Sequence, residues 1–163
     1  MYKVGIITAS DKGSKGERED KSGAIIREIM EENGYEVTAY CIVPDEQELL
    51  EKAMIDMVDQ DKVHLILTTG GTGFSLRDRT PEATIAVCDR MAPGIPEAMR
   101  AYSLQITNRA MLSRAVAGIR NQTLIVNMPG SPKAVKESLD CILDSLSHGI
   151  AILVGDAGEC ARK

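Results

Sequence analysis

The chain has 163 residues, the usual size of one domain, and its 44% apolar and 26% charged residues are globular proportions that exclude a disordered or fibrous protein. Nineteen basic against 24 acidic residues give a net charge of −5, and one Phe, four Tyr and no Trp leave little for base stacking, so a nucleic-acid partner is not expected. No apolar run reaches the roughly 18–20 residues of a membrane span and Met1-Tyr2-Lys3 opens no signal-peptide pattern, so a cytoplasmic chain with no membrane partner is expected.

Tyr2 to Thr8 is a short β-branched run that predicts a strand, and Ser10-Asp11 with the charged stretch to Glu19 predicts an open loop after it. Asp20 has the place of an N-cap for a helix striped by Ile25, Ile26, Ile29 and Met30, and Asn33-Gly34 supplies its stop. From Tyr35 to Val43 the chain alternates, which puts Val37, Ala39, Cys41 and Val43 on one face of a strand at a sheet edge. Asp45 and Glu48 have capping-box spacing, with Asp45 as the cap of a helix in which Leu49, Leu50, Ala53, Met54, Met57 and Val58 recur at helical spacing.

Val63 to Thr69 reads as a strand buried on both faces, and it runs directly into Gly70-Gly71-Thr72-Gly73. Thr80-Pro81 reads as an N-cap followed by Pro at the first position of a short helix through Cys88, and Pro93 and Pro96 punctuate another that holds Met99 and Leu104. Ala115 to Arg120 and Thr123 to Asn127 predict a hairpin with one antiparallel member, and a turn at Met128 to Pro132 leads into a long amphipathic helix through Leu146, with Gly149 to Val154 as its extension or a short last helix. Strands alternating with helices make one domain over residues 1–163: a three-layer α/β/α sandwich on a mostly parallel mixed sheet of about five strands.

Open sheets of this kind bind ligands beyond the carboxyl ends of their strands. Ser10 and Asp11, Asp45, the loop from Thr68 to Gly73, and Asn127 with Pro129, Gly130 and Ser131 all follow strands, so one crevice is expected to gather them. The loop lacks the Lys of a Walker A motif and is not GxGxxG, yet three Gly in four residues let a backbone approach phosphate oxygens, with Thr68, Thr69 and Thr72 as further donors. Carboxylates at Asp45 and Asp78 beside such a cradle would repel a polyphosphate without an intervening cation, which implies Mg²⁺ and metal-assisted phosphoryl or nucleotidyl transfer.

The remaining chemistry-bearing residues read as structural. Cys41, Cys88, Cys141 and Cys160 form no CxxC pair and are expected as buried thiols, not as a zinc or disulfide framework. His64 and His148 have no ligand-spaced neighbours, and Arg77, Arg79, Arg100, Arg114 and Arg120 read as surface cations, with Lys133 favoured as a phosphate partner by its place after the final turn.

Thr68 to Thr84 (TTGGTGFSLRDRTPEAT) resembles the molybdenum-cofactor biosynthesis proteins of the MogA/MoaB type, which include the gephyrin G domain. The likeness continues through Ser10-Asp11, Asp20 to Gly23, Pro44 to Glu46, Ala110 to Arg114 and Asn127 to Ala134, nearly the whole chain in order. It implies molybdopterin adenylyltransferase activity, in which a phosphate of molybdopterin attacks the α-phosphate of ATP and pyrophosphate leaves. Carried over by motif, Asp45 and Asp78 are the catalytic and Mg²⁺-holding carboxylates, and Thr69, Gly70, Gly71, Thr72 and Gly73 hold substrate with Ser10 and Asp11. Ser103, Ser113, Asn127, Pro129, Gly130 and Ser131 correspond to further pocket positions. The resemblance also implies a homotrimer or hexamer and handover to a molybdate insertase. The alternatives that the same motifs allow are a non-catalytic pterin- or nucleotide-binding carrier of the MoaB-like branch and a nucleotide pyrophosphatase.

Overall fold

The computed structural model describes residues 1–156, so Cys160 lies outside the described residues. Elements follow in the order β1 (Lys3–Ala9), α1 (Asp11–Ser14), α2 (Lys21–Glu32), β2 (Glu36–Val43), α3 (Gln47–Asp59), β3 (Leu65–Thr69) and α4 (Thr80–Val87). Next come β4 (Arg90–Met91), α5 (Gly94–Leu104), a 3₁₀ turn (Asn108–Leu112), β5 (Ala117–Arg120), β6 (Thr123–Met128) and α6 (Pro132–Val154). The sheet order is β2-β1-β3-β6-β5-β4, with β2, β1, β3 and β6 parallel and β5 antiparallel to both of its neighbours. Six strands thus stand where about five were expected; the extra one, β4, is two exposed residues too short for a period-2 pattern to register.

Each sheet face has its own aliphatic layer. Val4, Ile6, Leu65, Leu67, Leu124 and Val126 meet α2, α5 and α6, while Ile7, Ile66 and Ile125 meet α3 and α4 through Leu50, Met54, Ala83 and Val87. Both faces of β3 are therefore covered, and all five of its residues are buried, as the unbroken apolar run predicts. Fully burying one such Leu or Ile contributes about 1.5–3 kcal/mol. Truncating Leu139, fully buried in the N-terminal half of α6, to Ala therefore costs about 2–5 kcal/mol.

Strand β2 lies at the sheet edge as expected, but its face assignment is corrected. Val4 pairs with Val37 and Gly5 with Ala39, so Thr38 is an extra residue in the ladder, and this bulge turns Val37 toward the α2 layer while Ala39, Cys41 and Val43 stay with α3. Two cap assignments are also corrected. Glu46, not Asp45, occupies the N-cap of α3, and Arg79, not Thr80, that of α4; neither makes a side-chain cap bond, which frees Asp45 and Thr80 for other contacts. Asp20 does cap α2, accepting from Gly23 N at 2.9 Å, and α6 runs unbroken through Gly149. Cys41, Cys88 and Cys141 are free thiols, half-buried rather than enclosed, and no described helix is long and apolar enough to cross a membrane.

Candidate active site

The carboxyl ends of β1, β2 and β3 open into a cleft of about 780 Å³ lined by Ser10, Asp11, Asp45, Gly70, Gly71 and Asp78, with Gly130 packed beside Gly70. The stretch after β1 is not a plain loop: Ser10 Oγ accepts from Gly13 N at 2.9 Å and caps the one-turn helix α1. Asp11 and Asp45 bind each other reciprocally, Asp11 N donating to Asp45 Oδ2 and Asp45 N to Asp11 Oδ1, both at 3.0 Å. Arg77 completes the tie with a fork on Asp11, Nε to Oδ2 at 2.7 Å and Nη2 to Oδ1 at 2.9 Å. The Asp11 carboxylate is thus committed to positioning Asp45, and Arg77, read as a surface cation in the sequence, belongs to the site's frame.

The glycine loop is shaped for close approach. Gly70 and Gly71 have φ of +87° and +71°, and a Cβ on Gly71 would sit 2.2 Å from Thr80 Oγ1 and 3.4 Å from Asp45 Oδ1. Thr80 Oγ1 donates to Gly70 O at 2.9 Å and Thr80 N to Gly71 O at 3.2 Å, so α4 begins by closing the loop onto itself. Among the described residues the N–H groups of Gly71, Thr72 and Gly73 donate to no protein acceptor, which leaves them free for an anion. The Thr hydroxyls are less free: Thr69 Oγ1 donates to Pro129 O at 2.6 Å, and Thr68 is fully buried against Asn127.

Asp78 sits where the loop returns, its Oδ2 accepting from Ser75 N at 3.0 Å. Its backbone is held by Arg114, another residue the sequence left as a surface cation. Arg114 Nη2 donates to Asp78 O at 2.9 Å, Nε to Gly73 O at 2.8 Å, Nη1 pairs with Glu82, and Arg114 N donates to Thr72 O at 2.9 Å. No spacing rule links positions 78 and 114, so only the fold could disclose this clamp.

The other expected residues divide between two places. Ser103, Ser113, Thr72, Gly73 and Pro129 line a separate, mostly apolar cavity of about 290 Å³ on the α5 side of the loop. Asn127 reaches neither space: it is fully buried, its Nδ2 donating to Thr68 Oγ1 at 3.0 Å and Thr84 Oγ1 at 2.8 Å, because β6 runs one residue past the predicted strand end. Ser131 is spent as the N-cap of α6, accepting from Ala134 N at 3.2 Å, and Lys133 is exposed and lines neither cavity. At the start of α2, Asp20 accepts from Thr8 Oγ1 at 2.6 Å and Tyr40 Oη at 2.5 Å, and Ser22 Oγ donates to Gly130 O at 2.7 Å, which pins this end of the helix to the cleft wall.

Burial raises the Asp45 pKa above the ordinary carboxylate value, opposed by its bond from Asp11 N and reinforced by the charges of Asp11 and Asp78. Asp11 is held below that value by the Arg77 fork and the Asp45 amide. A cation between Asp45 and Asp78 would relieve their mutual repulsion. Asp45 Oδ1 and Asp78 Oδ1 accept no hydrogen bond from the described residues, and no set of three or more His, Cys, Asp or Glu there forms a closed metal cage. Two hard oxygens beside open space fit Mg²⁺, which keeps several waters and takes substrate phosphates as ligands.

A family profile described as a probable molybdopterin binding domain matches residues 5–148. The chain is 46% identical to a molybdopterin adenylyltransferase of Helicobacter pylori strain J99, over 98% of this chain and 92% of that one. It is 41% identical to the molybdopterin adenylyltransferase of Escherichia coli K12, over 91% and 79% respectively. The crystal structure of the molybdopterin biosynthesis enzyme MoaB of Thermus thermophilus superposes with a TM-score of 0.90 at 48% identity, over 95% of this chain and 98% of that one.

Proposed function

Because the chain belongs to the molybdopterin-binding domain family of molybdenum cofactor biosynthesis, we propose that it is a Mg²⁺-dependent molybdopterin adenylyltransferase that uses Asp45 and Asp78 on either side of the glycine loop. The observation that carries the proposal is the convergence of two carboxylates, each with an uncommitted oxygen, on a loop with three unpaired amides. The near full-length likeness to adenylyltransferases supports the same reading.

In the reaction, a phosphate oxygen of molybdopterin forms a bond to the α-phosphorus of ATP as the bond from that phosphorus to the diphosphate breaks, and the diphosphate leaves with the electron pair. Such chemistry needs positioning and charge neutralisation, not a protein nucleophile. The Gly71, Thr72 and Gly73 amides hold phosphate oxygens, while the Asp11–Arg77 tie and the Arg114 clamp fix the two carboxylates. Asp45 and Asp78 would hold Mg²⁺, which would neutralise charge on the phosphate oxygens. The apolar cavity with Ser103 and Ser113 offers a flat-ring site beyond the loop.

We also propose a homo-oligomer, trimer before hexamer, and passage of the product to a molybdate insertase. Tyr102, Leu104, Ile106 and Met111, exposed at the end of α5 and the following turn, support a subunit contact there. Incubation with molybdopterin, ATP and Mg²⁺ is expected to yield adenylyl-molybdopterin and pyrophosphate by mass spectrometry. Binding of both substrates without that product would replace the enzyme with a carrier.

A further inference from the structure

The lining of the main cleft carries a set of cations that the proposed chemistry leaves unused. Lys12, Arg18 and Lys21 all line the cleft, and all three fall within ten residues of chain that run from α1 to the first residue of α2. Among the described residues none of them makes an ion pair or a side-chain hydrogen bond.

This is not for want of carboxylates, because Asp11, Glu19, Asp20, Asp45 and Asp78 line the same space. Asp11 is forked by Arg77, and Asp20 is saturated by Thr8, Tyr40 and the Gly23 amide. Charges that share a cleft without pairing leave both signs open to a ligand, and a ligand that takes both must be anionic where it meets the cations and able to share a metal where it meets Asp45 and Asp78. Lys contributes point charge, and Arg a planar fork that matches a phosphate edge. Ser22 cannot serve as a fourth partner, since its hydroxyl is given to Gly130 O.

We infer that Lys12, Arg18 and Lys21 form the subsite for the diphosphate portion of the nucleotide, and that they stabilise the departing diphosphate as its bond to the α-phosphorus breaks. The assignment rests on the adenylyl-transfer reading for its place in the reaction, but the subsite is testable without it. Its ligand class is an inorganic or nucleotide-borne diphosphate; a nucleoside monophosphate lacks the group that the subsite takes.

The test is calorimetric titration of the full chain with inorganic pyrophosphate and, separately, with AMP, both with Mg²⁺ present. K12A/R18A/K21A is expected to bind pyrophosphate at least tenfold more weakly and AMP within twofold of the unaltered chain, because all three side chains are exposed and support no packing. K3A/K52A/R90A, which removes the same charge outside the cleft, is expected to bind both ligands normally. Undiminished pyrophosphate binding by K12A/R18A/K21A, an equal loss in K3A/K52A/R90A, or no pyrophosphate binding by the unaltered chain would overturn the inference. The two readings fail separately. A chain that binds pyrophosphate through these cations but makes no adenylyl-molybdopterin removes the enzyme and keeps the subsite. One that turns over with an unchanged KM for ATP in K12A/R18A/K21A does the reverse.

Discussion

Three glycines with left-handed backbone allow strain, clash and chemistry to be separated by one substitution each. Gly34, just past α2, has φ +82° and nothing within 4 Å of a built Cβ, so Gly34→Ala carries conformational strain alone. That strain is about 1–2 kcal/mol for an L-residue in this region. At roughly 2–4 °C per kcal/mol for a chain of this length, Tm should fall about 2–8 °C with turnover unchanged. Gly71→Ala adds a contact 2.2 Å from Thr80 Oγ1, so that hydroxyl must swing away and leave Gly70 O unpaired. The lost bond brings the total to about 2–4 kcal/mol, or about 4–16 °C, and the added methyl crowds Asp45 Oδ1 and the loop amides, so turnover should fall at least ~tenfold. Gly70→Ala is harsher still, because its neighbour at 2.4 Å is the Ala9 carbonyl, which cannot rotate out of the way without moving β1. Differential scanning calorimetry and adenylyl transfer, measured on all three, test the series. Equal Tm losses for Gly34→Ala and Gly70→Ala, or a fully active Gly71→Ala, would refute the claim that the loop's approach distance sets both stability and function.

The other expectations concern the carboxylates and their clamps. Asp45→Asn and Asp78→Asn keep shape and can keep the bonds from Asp11 N and Ser75 N, so both should fold normally and lose at least ~tenfold in turnover, about 1.4 kcal/mol in the barrier, most visibly at limiting Mg²⁺. Near-normal product formation by both would remove the carboxylate–metal mechanism. The raised Asp45 pKa means its contribution to stability is full below the unfolded carboxylate range and is lost as pH rises through its folded value. Asp45→Asn should therefore melt at or above the unaltered chain at pH 8, with the gap closing toward pH 4; a gap that widens on acidification contradicts the sign. Arg114→Lys keeps the charge but not the fork on Gly73 and Asp78, so it should cut turnover about tenfold by rate arithmetic and much less in an Asp78→Asn background. Losses that simply multiply would show that Arg114 does not act through Asp78.

The layered fold was legible because its signals are periodic and local: the continuous apolar β3, the striped α2 and α6, and the Asn33-Gly34 stop all occupy their expected places. Thr38 was not, since a bulge depends on what the partner strand offers and not on the strand's own alternation. Within the site, Asp11, Asp45, Gly70, Gly71 and Asp78 were found by their shared place after strands, and they do line one cleft. Asn127 passed the same test and failed it in space, because strand-end position says nothing about which face a side chain takes when the strand runs one residue longer. Arg77 and Arg114 were invisible for the opposite reason, since their partners Asp11 and Asp78 lie 66 and 36 positions away in sequence.

The sheet order has a consequence for how the chain comes together as it is made. Strand β3, buried at every residue, pairs on one side with β1, already synthesised, and on the other with β6, whose contacts to it span some 60 positions of sequence. Until Thr123 to Met128 emerge, the nascent sheet ends in a bare apolar edge, the kind of template that recruits other chains. The Thr69 bond to Pro129 O and the Thr123 bond to Val63 O lie at the two ends of that pairing and fasten only when the late strand docks. Truncations ending before residue 123 should therefore aggregate, and the glycine loop that follows β3 gains its full setting only when that edge is sealed.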